Sequence, residues 1–152
     1  IGEWTAHRVE LDELFRESDA ILLHAPANPS THHMINRERL RKVKRGCILV
    51  NTARAVLVDV DAMVDALRDG TLGGAGLDLI EGVPPLGAEH PLLAFENVII
   101  TPYTAWYTED SMLTQRKSMA TDIARVLKGY YPKAFINPDV KPNARAGQLK
   151  DE

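Results

Sequence analysis

The chain has 152 residues, 45% of them apolar and 26% charged, with a formal net charge of −3. That length suits one domain with a real core, and the slight acidity leaves no electrostatic footprint for nucleic acid or an anionic membrane. The single Cys47 excludes a disulfide framework or a cysteine metal cluster, and no apolar stretch approaches the roughly 18 residues that cross a bilayer. A soluble α/β domain of a reducing, cytoplasmic compartment is expected. The chain opens on Ile1 and enters structure at once, which reads as the latter part of something longer.

In chain order, Leu11 to Ser18 spaces Leu11, Leu14 and Phe15 as a short amphipathic helix, with Asp12 near its start. Residues 20–26 (AILLHAP) form an apolar run stopped by a proline, a buried strand with its loop. Asn36 is the N-cap expected for a helix that Gly46 ends, although Arg39 stands where a capping box wants an acid. CILVNTA (47–53) is the second strand. Asp59 or Asp61 opens a helix with Ala62, Met63, Ala66 and Leu67 on one face and Gly70 at its end. GAGLDLI (74–80) is the third strand and NVIITPY (97–103) the fourth, joined by a segment too rich in turns for a long helix. Thr108 to Lys128 is helical, with a capping-box-like start at Thr108–Ser111. Its apolar stripe is Met112, Met119, Ile123, Val126 and Leu127, and Gly129 closes it. The tail after Asn137 is polar and proline-bearing, and is expected to be disordered.

Apolar strands alternating with helices predict about four parallel strands covered on both faces, the second half of a doubly wound, Rossmann-like sheet. The glycine fingerprint G-x-G-x-x-G is absent; Gly73, Gly74 and Gly76 precede a strand and read as a turn. Ligands of such sheets sit beyond the strands' carboxyl ends. Candidate site residues are therefore His24-Ala25-Pro26, Asn51-Thr52-Ala53-Arg54, Asp78 and Thr101-Pro102-Tyr103. A guanidinium at position 54 can clamp a carboxylate through two parallel bonds; as a lone arginine it serves equally well in an ion pair. His32 and His33 are adjacent, at the start of the predicted helix, without i, i+4 spacing or a nearby Cys or carboxylate, so no metal is expected. Arg37, Arg39, Arg41, Lys42, Lys44 and Arg45 read as a solvated helix face, with an acidic partner as the alternative.

The run ILLHAPANPSTHHMINRERL, then GCILVNTAR, LVDVDAMVDALRDGTLGGAGLDL and HPLLAFENVIITP resembles the D-isomer-specific 2-hydroxyacid dehydrogenase family from Leu11 to about Val140. HHMIN and AWYTEDS are similar to its C-terminal-binding protein branch of NAD-sensing corepressors. The resemblance implies that residues 1–140 are the C-terminal portion of an NAD-binding domain lacking its glycine-rich first half, with a polar tail over 141–152. It implies NAD as cofactor, a small 2-keto or 2-hydroxy acid as substrate, and a homodimeric parent. Ala25, Pro26, Ala27, Asn28, Pro29, Ser30 and Thr31 match the loop on the adenosine side of NAD. Thr52, Ala53 and Arg54 match the strand end beneath the nicotinamide, with Arg54 also the family's anchor for the substrate carboxylate. Asp78 matches the aspartate near the carboxamide, and Tyr103, Thr104, Ala105 and Trp106 match the last pocket wall.

The family's catalytic histidine and glutamate fall on Tyr103 and Val83, and the glycine that usually follows the arginine is Ala55. Impaired hydride chemistry is therefore expected. Glu81, sharing the face of Val83 if the third strand continues, and His90 could substitute, but they read better as a turn acid and a loop histidine. Three readings follow: a dehydrogenase with altered catalytic groups, a catalytically silent NAD-sensing module, or a truncated fragment without activity. With half a sheet missing, the strand near Ile21 is expected to be an exposed edge, leaving the isolated chain marginally stable or self-pairing.

Overall fold

The computed structural model describes residues 6–83 and 86–134; the expected tail over 141–152 lies outside them. The elements are α1 (Leu11–Glu17), β1 (Ala20–Leu23), α2 (Arg37–Leu40), β2 (Cys47–Asn51), α3 (Val60–Arg68), β3 (Leu72–Leu77), β4 (Val98–Ile100) and α4 (Glu109–Leu127). Short 3-10 turns occupy Ala55–Leu57 and Pro91–Ala94. Two compact units are formed, one through Ala105 and one from Trp106. No helix among the described residues is long and apolar enough to cross a membrane.

The first unit holds one sheet of order β1-β2-β3-β4, parallel throughout, with Ile21, Leu49, Ala75 and Val98 in register. Helix α3 shows why these residues fold as they do. Asp59 accepts a hydrogen bond from the Ala62 N–H at 3.0 Å and so caps the first turn. Ala62, Met63, Ala66 and Leu67 are buried on one face. Met63 and Leu67 each contribute roughly 1.5–3 kcal/mol by leaving water. Gly70, at φ +76, turns the chain out of the helix in the left-handed conformation. From the sheet come Ile21, Leu23, Leu49, Ala75 and Leu77; Phe15 and Leu92 complete the same core.

Several expectations are corrected. Asn36 does cap α2, accepting from the Arg39 N–H, but the helix stops at Leu40. Beyond it the backbone tightens into i→i+3 bonds, Lys42 N to Arg39 O and Val43 N to Leu40 O, which bury Leu40 and Val43 without another α turn. The basic residues around α2 engage neighbouring segments: Arg37 pairs with Asp65 at 2.6 Å, Lys42 with Asp12 at 2.9 Å and Lys44 with Asp19 at 3.0 Å. Among the described residues of the first unit, the buried core lies on one face of the sheet. Leu22, Ile48 and Ile99 on the opposite face are 58%, 40% and 71% exposed, and β1 is indeed an edge strand. Helix α4 has the expected capping box between Thr108 and Ser111, yet none of its residues is buried.

The three glycines are not a turn. They lie inside β3, which begins at Leu72. A Cβ on Gly73 would stand 2.4 Å from the Gly46 carbonyl oxygen, and one on Gly74 would stand 2.7 Å from that of Asn97. Glycine is required because neighbouring backbone approaches too closely for any side chain. Gly73→Ala is expected to cost at least roughly 1–3 kcal/mol, read as a lower urea midpoint; an unchanged midpoint would show that the strand shifts freely.

Candidate functional site

The carboxyl ends of the four strands carry most of the candidate residues. After β1, the loop from Ala25 to Thr31 is organised by Asn28, whose Oδ1 accepts from the N–H groups of Ser30 (2.9 Å) and Thr31 (3.1 Å). The Thr31 hydroxyl donates to the Pro26 carbonyl at 2.6 Å. Pro26 to Ser30 are exposed.

After β2, Asn51 is fully buried and its amide is shared between two backbone groups. It accepts from the Ala53 N–H at 3.1 Å and donates to the Arg54 carbonyl at 2.9 Å. The backbone of residues 51–54 is thereby fixed, while Thr52 and Arg54 stay exposed. The Arg54 guanidinium rests on the Ala53 carbonyl through Nη1 at 2.6 Å.

After β3, Asp78 is buried and ties β3 to the segment leaving β4. Its Oδ1 accepts from the Thr101 hydroxyl at 2.5 Å and the Thr104 N–H at 2.8 Å; Oδ2 accepts from the Ala105 N–H at 3.0 Å. Burial opposes ionisation of this carboxyl. The Thr101 hydroxyl and the Thr104 and Ala105 N–H groups outweigh it and hold the pKa below the ordinary carboxylate value.

After β4, Tyr103 takes the left-handed conformation, φ 55, with its N–H donating to the carbonyls of Asp78 and Thr101. Trp106 opens the second unit and meets Tyr107 edge to face at 5.7 Å. Val83 is half-buried against the core. Together Arg54, Asp78 and Tyr103 stand at the exits of three adjacent strands, Arg54 and Tyr103 exposed and Asp78 buried; two concave pockets lie elsewhere, on α4 and between α2 and α3.

The two groups considered as substitutes for the catalytic pair are otherwise engaged. Strand β3 ends at Leu77 and the chain turns at Gly82, φ 77, so Glu81 does not extend a strand face toward Val83. His90 accepts from the Leu92 N–H and caps the turn at Pro91. Glu81 meets His33 instead, Oε2 to Nε2 at 2.7 Å, with His32 Nε2 3.9 Å from Oε1. This overturns the expectation that the histidine pair has no carboxylate nearby. The two histidines lie in a turn before α2, not at a helix start. No local spacing signals this cluster, because 48 residues separate His33 from Glu81.

A parallel sheet with a buried aspartate at the third strand exit and an arginine at the second places polar groups where open α/β sheets bind their ligands. Residues 2–105 match the model of the D-isomer specific 2-hydroxyacid dehydrogenase NAD binding domain, and the chain belongs to that family, whose cofactor is NAD. The match ends where the first compact unit ends. Among relatives, the glyoxylate reductase of Thermofilum pendens is 41% identical over 131 residues, covering 86% of this chain and 38% of that protein. Among solved structures, the TT0316 protein of Thermus thermophilus is 43% identical with a TM-score of 0.75, over 82% of this chain and 40% of that one. The NAD-complexed D-isomer specific 2-hydroxyacid dehydrogenase of Lactobacillus delbrueckii ssp. bulgaricus is 34% identical with a TM-score of 0.77, over 84% and 43%. The chain spans about two fifths of the length of these curated relatives.

Proposed function

We propose that this chain is the NAD(H)-binding portion of a D-2-hydroxyacid dehydrogenase-family oxidoreductase whose proton-handling pair has been replaced. The observation that carries this reading is the convergence of Arg54, Asp78 and Tyr103 at three adjacent strand exits. The class reaction breaks the C2–H bond of a 2-hydroxy acid as hydride leaves and the O–H bond as a proton leaves, giving the 2-keto acid. Bound NAD supplies the hydride acceptor.

The residues present fit the nicotinamide side of that cofactor. Arg54 and Tyr103 are exposed there, and Asp78 holds the backbone N–H groups of Thr104 and Ala105 in place. The chain itself has no glycine cradle for the pyrophosphate. Arg54, exposed on a fixed backbone, orients the substrate carboxylate through a bidentate bond. The Ala25–Thr31 turn lies along the adenosine side. Tyr103 can donate a hydrogen bond to the keto oxygen, but at neutral pH a phenol is a poor acceptor for the hydroxyl proton. In model peptides it titrates about 3.5 units above an imidazole. Val83 offers no charge to orient a base.

The second reading is a catalytically silent NAD-sensing module, acting as a homodimer and akin to the C-terminal-binding protein branch. It is favoured by the joint loss of both proton-handling groups beside an intact Asp78 clasp. A chimera in which this chain replaces the matching portion of the Thermofilum pendens glyoxylate reductase tests both readings. NADH affinity is expected to stay within about tenfold of the host's, while turnover falls by about 10²–10⁴-fold. Loss of NADH binding in a folded chimera would overturn the cofactor assignment; turnover at the host's rate would overturn the silence.

A further inference from the structure

The geometry points to a binding site for a late first-row divalent cation, of the zinc type, formed by His32, His33 and Glu81. The two imidazole rings are stacked, with centroids 4.0 Å apart and planes inclined by 28°. They face one carboxylate, which offers a separate oxygen to each: Oε2 lies 2.7 Å from His33 Nε2 and Oε1 lies 3.9 Å from His32 Nε2. The three donor atoms lie within 4.8 Å of one another.

A tetrahedral zinc ion with bonds of about 2.0–2.1 Å holds its ligand atoms about 3.3 Å apart. With Oε2 as the single carboxylate ligand, the His33–Glu81 contact would open by about 0.6 Å to meet that spacing, and the His32 ring would turn toward the same oxygen. All three side chains are 36–55% exposed, so small torsional changes suffice and water can fill the remaining coordination positions. Two imidazole nitrogens and one carboxylate oxygen suit zinc, copper(II) or nickel. An all-oxygen set would favour calcium or magnesium, and thiolates copper(I).

The donors ride on two separately braced segments. The His33 N–H donates to the Val56 carbonyl at 2.8 Å, holding the histidine in a left-handed conformation at φ 47, and the Ile35–Val58 bridge follows it. On the other side, the Val83 N–H bonds back to the Ile80 carbonyl at 3.2 Å, forming the turn that presents Glu81. An ion would therefore join the segment after β1 to the turn after β3 across the carboxyl edge of the sheet, three residues beyond Asp78. This inference stands apart from the NAD reading, since none of its residues belongs to that site.

Zinc titration of the untagged chain by calorimetry tests it. Saturation at about one ion per chain is expected, weakened by about tenfold or more in His33→Ala and in Glu81→Gln and unchanged in His7→Gln. Circular dichroism checks that each variant is folded. For a variant that unfolds, the unaltered chain decides: its Cu²⁺ paramagnetic resonance spectrum should carry coupling to two imidazole nitrogens. Absence of saturable zinc binding, affinity indifferent to positions 33 and 81, or coupling to fewer than two nitrogens would reduce the cluster to a hydrogen-bonded latch and overturn the site.

Discussion

Val83→Glu together with Tyr103→His raises the turnover of the glyoxylate reductase chimera by about 10²–10⁴-fold, the usual worth of general acid–base assistance. That gain corresponds to about 3–5 kcal/mol of transition-state stabilisation. Each substitution alone falls short. An imidazole without its carboxylate keeps an ordinary basicity and is not oriented; a carboxylate at position 83 without an imidazole has nothing to hold. The backbone accepts the change at 103, since histidine is among the side chains most tolerant of the left-handed conformation found there at φ 55. Position 83 is half-buried, so a glutamate can lay its methylenes against the core now covered by valine. The pH dependence of the restored activity should show a new group titrating near neutrality. If the double variant gains nothing while NADH still binds, the side chains at positions 83 and 103 are not what limits turnover. If the unaltered chimera is already fast, those two side chains do not limit turnover.

Asp78→Ala lowers the stability of the chain by about 3–5 kcal/mol, a large part of the 5–15 kcal/mol that holds an ordinary domain together. The carboxylate accepts three hydrogen bonds, and two of their donors are backbone N–H groups of Thr104 and Ala105 that a substitution at position 78 leaves in place without an acceptor. Asp78→Asn keeps the volume but turns an acceptor into a donor facing an N–H, and should lose about half as much. The acid limb carries the same signature. Because the folded-state pKa lies below the unfolded value near 3.9, the unfolded chain binds the proton first. The contribution is complete above that value and disappears as the pH drops through the folded pKa. Asp12, Asp65 and Asp69 are depressed in the same sense by Lys42, Arg37 and Thr71, so Asp78→Asn flattens the acid limb without abolishing it. Urea midpoints measured from pH 2 to 7 for both chains check this; parallel curves would show that the clasp contributes nothing.

Caps and periodicity make most of the fold legible. Asn36, Asp59 and Thr108 cap the helices expected of them, because a side-chain oxygen reaching an N–H three residues on is a local event. The glycines of β3 mislead because their reason is not local. Gly73 and Gly74 answer to the carbonyls of Gly46 and Asn97, which come from other segments. An apolar strand announces that it needs cover but not what supplies it, so Leu22, Ile48 and Ile99 read as buried and are not. The strand-exit residues Arg54, Asp78 and Tyr103 can be found in the sequence, since the parallel topology places them. The meeting of His33 with Glu81 cannot.

The buried amide of Asn51 has a thermodynamic consequence for the proposed capture of an acid at Arg54. Because that amide immobilises residues 51–54 when the chain folds, an arriving carboxylate has no loop left to order. It need only draw the guanidinium off the Ala53 carbonyl and arrest the rotamers of one side chain, an entropic penalty of roughly 2 kcal/mol at most. The strand exit thus acts as a rigid mount carrying a swivelling head, with most of the cost of organising it already met during folding.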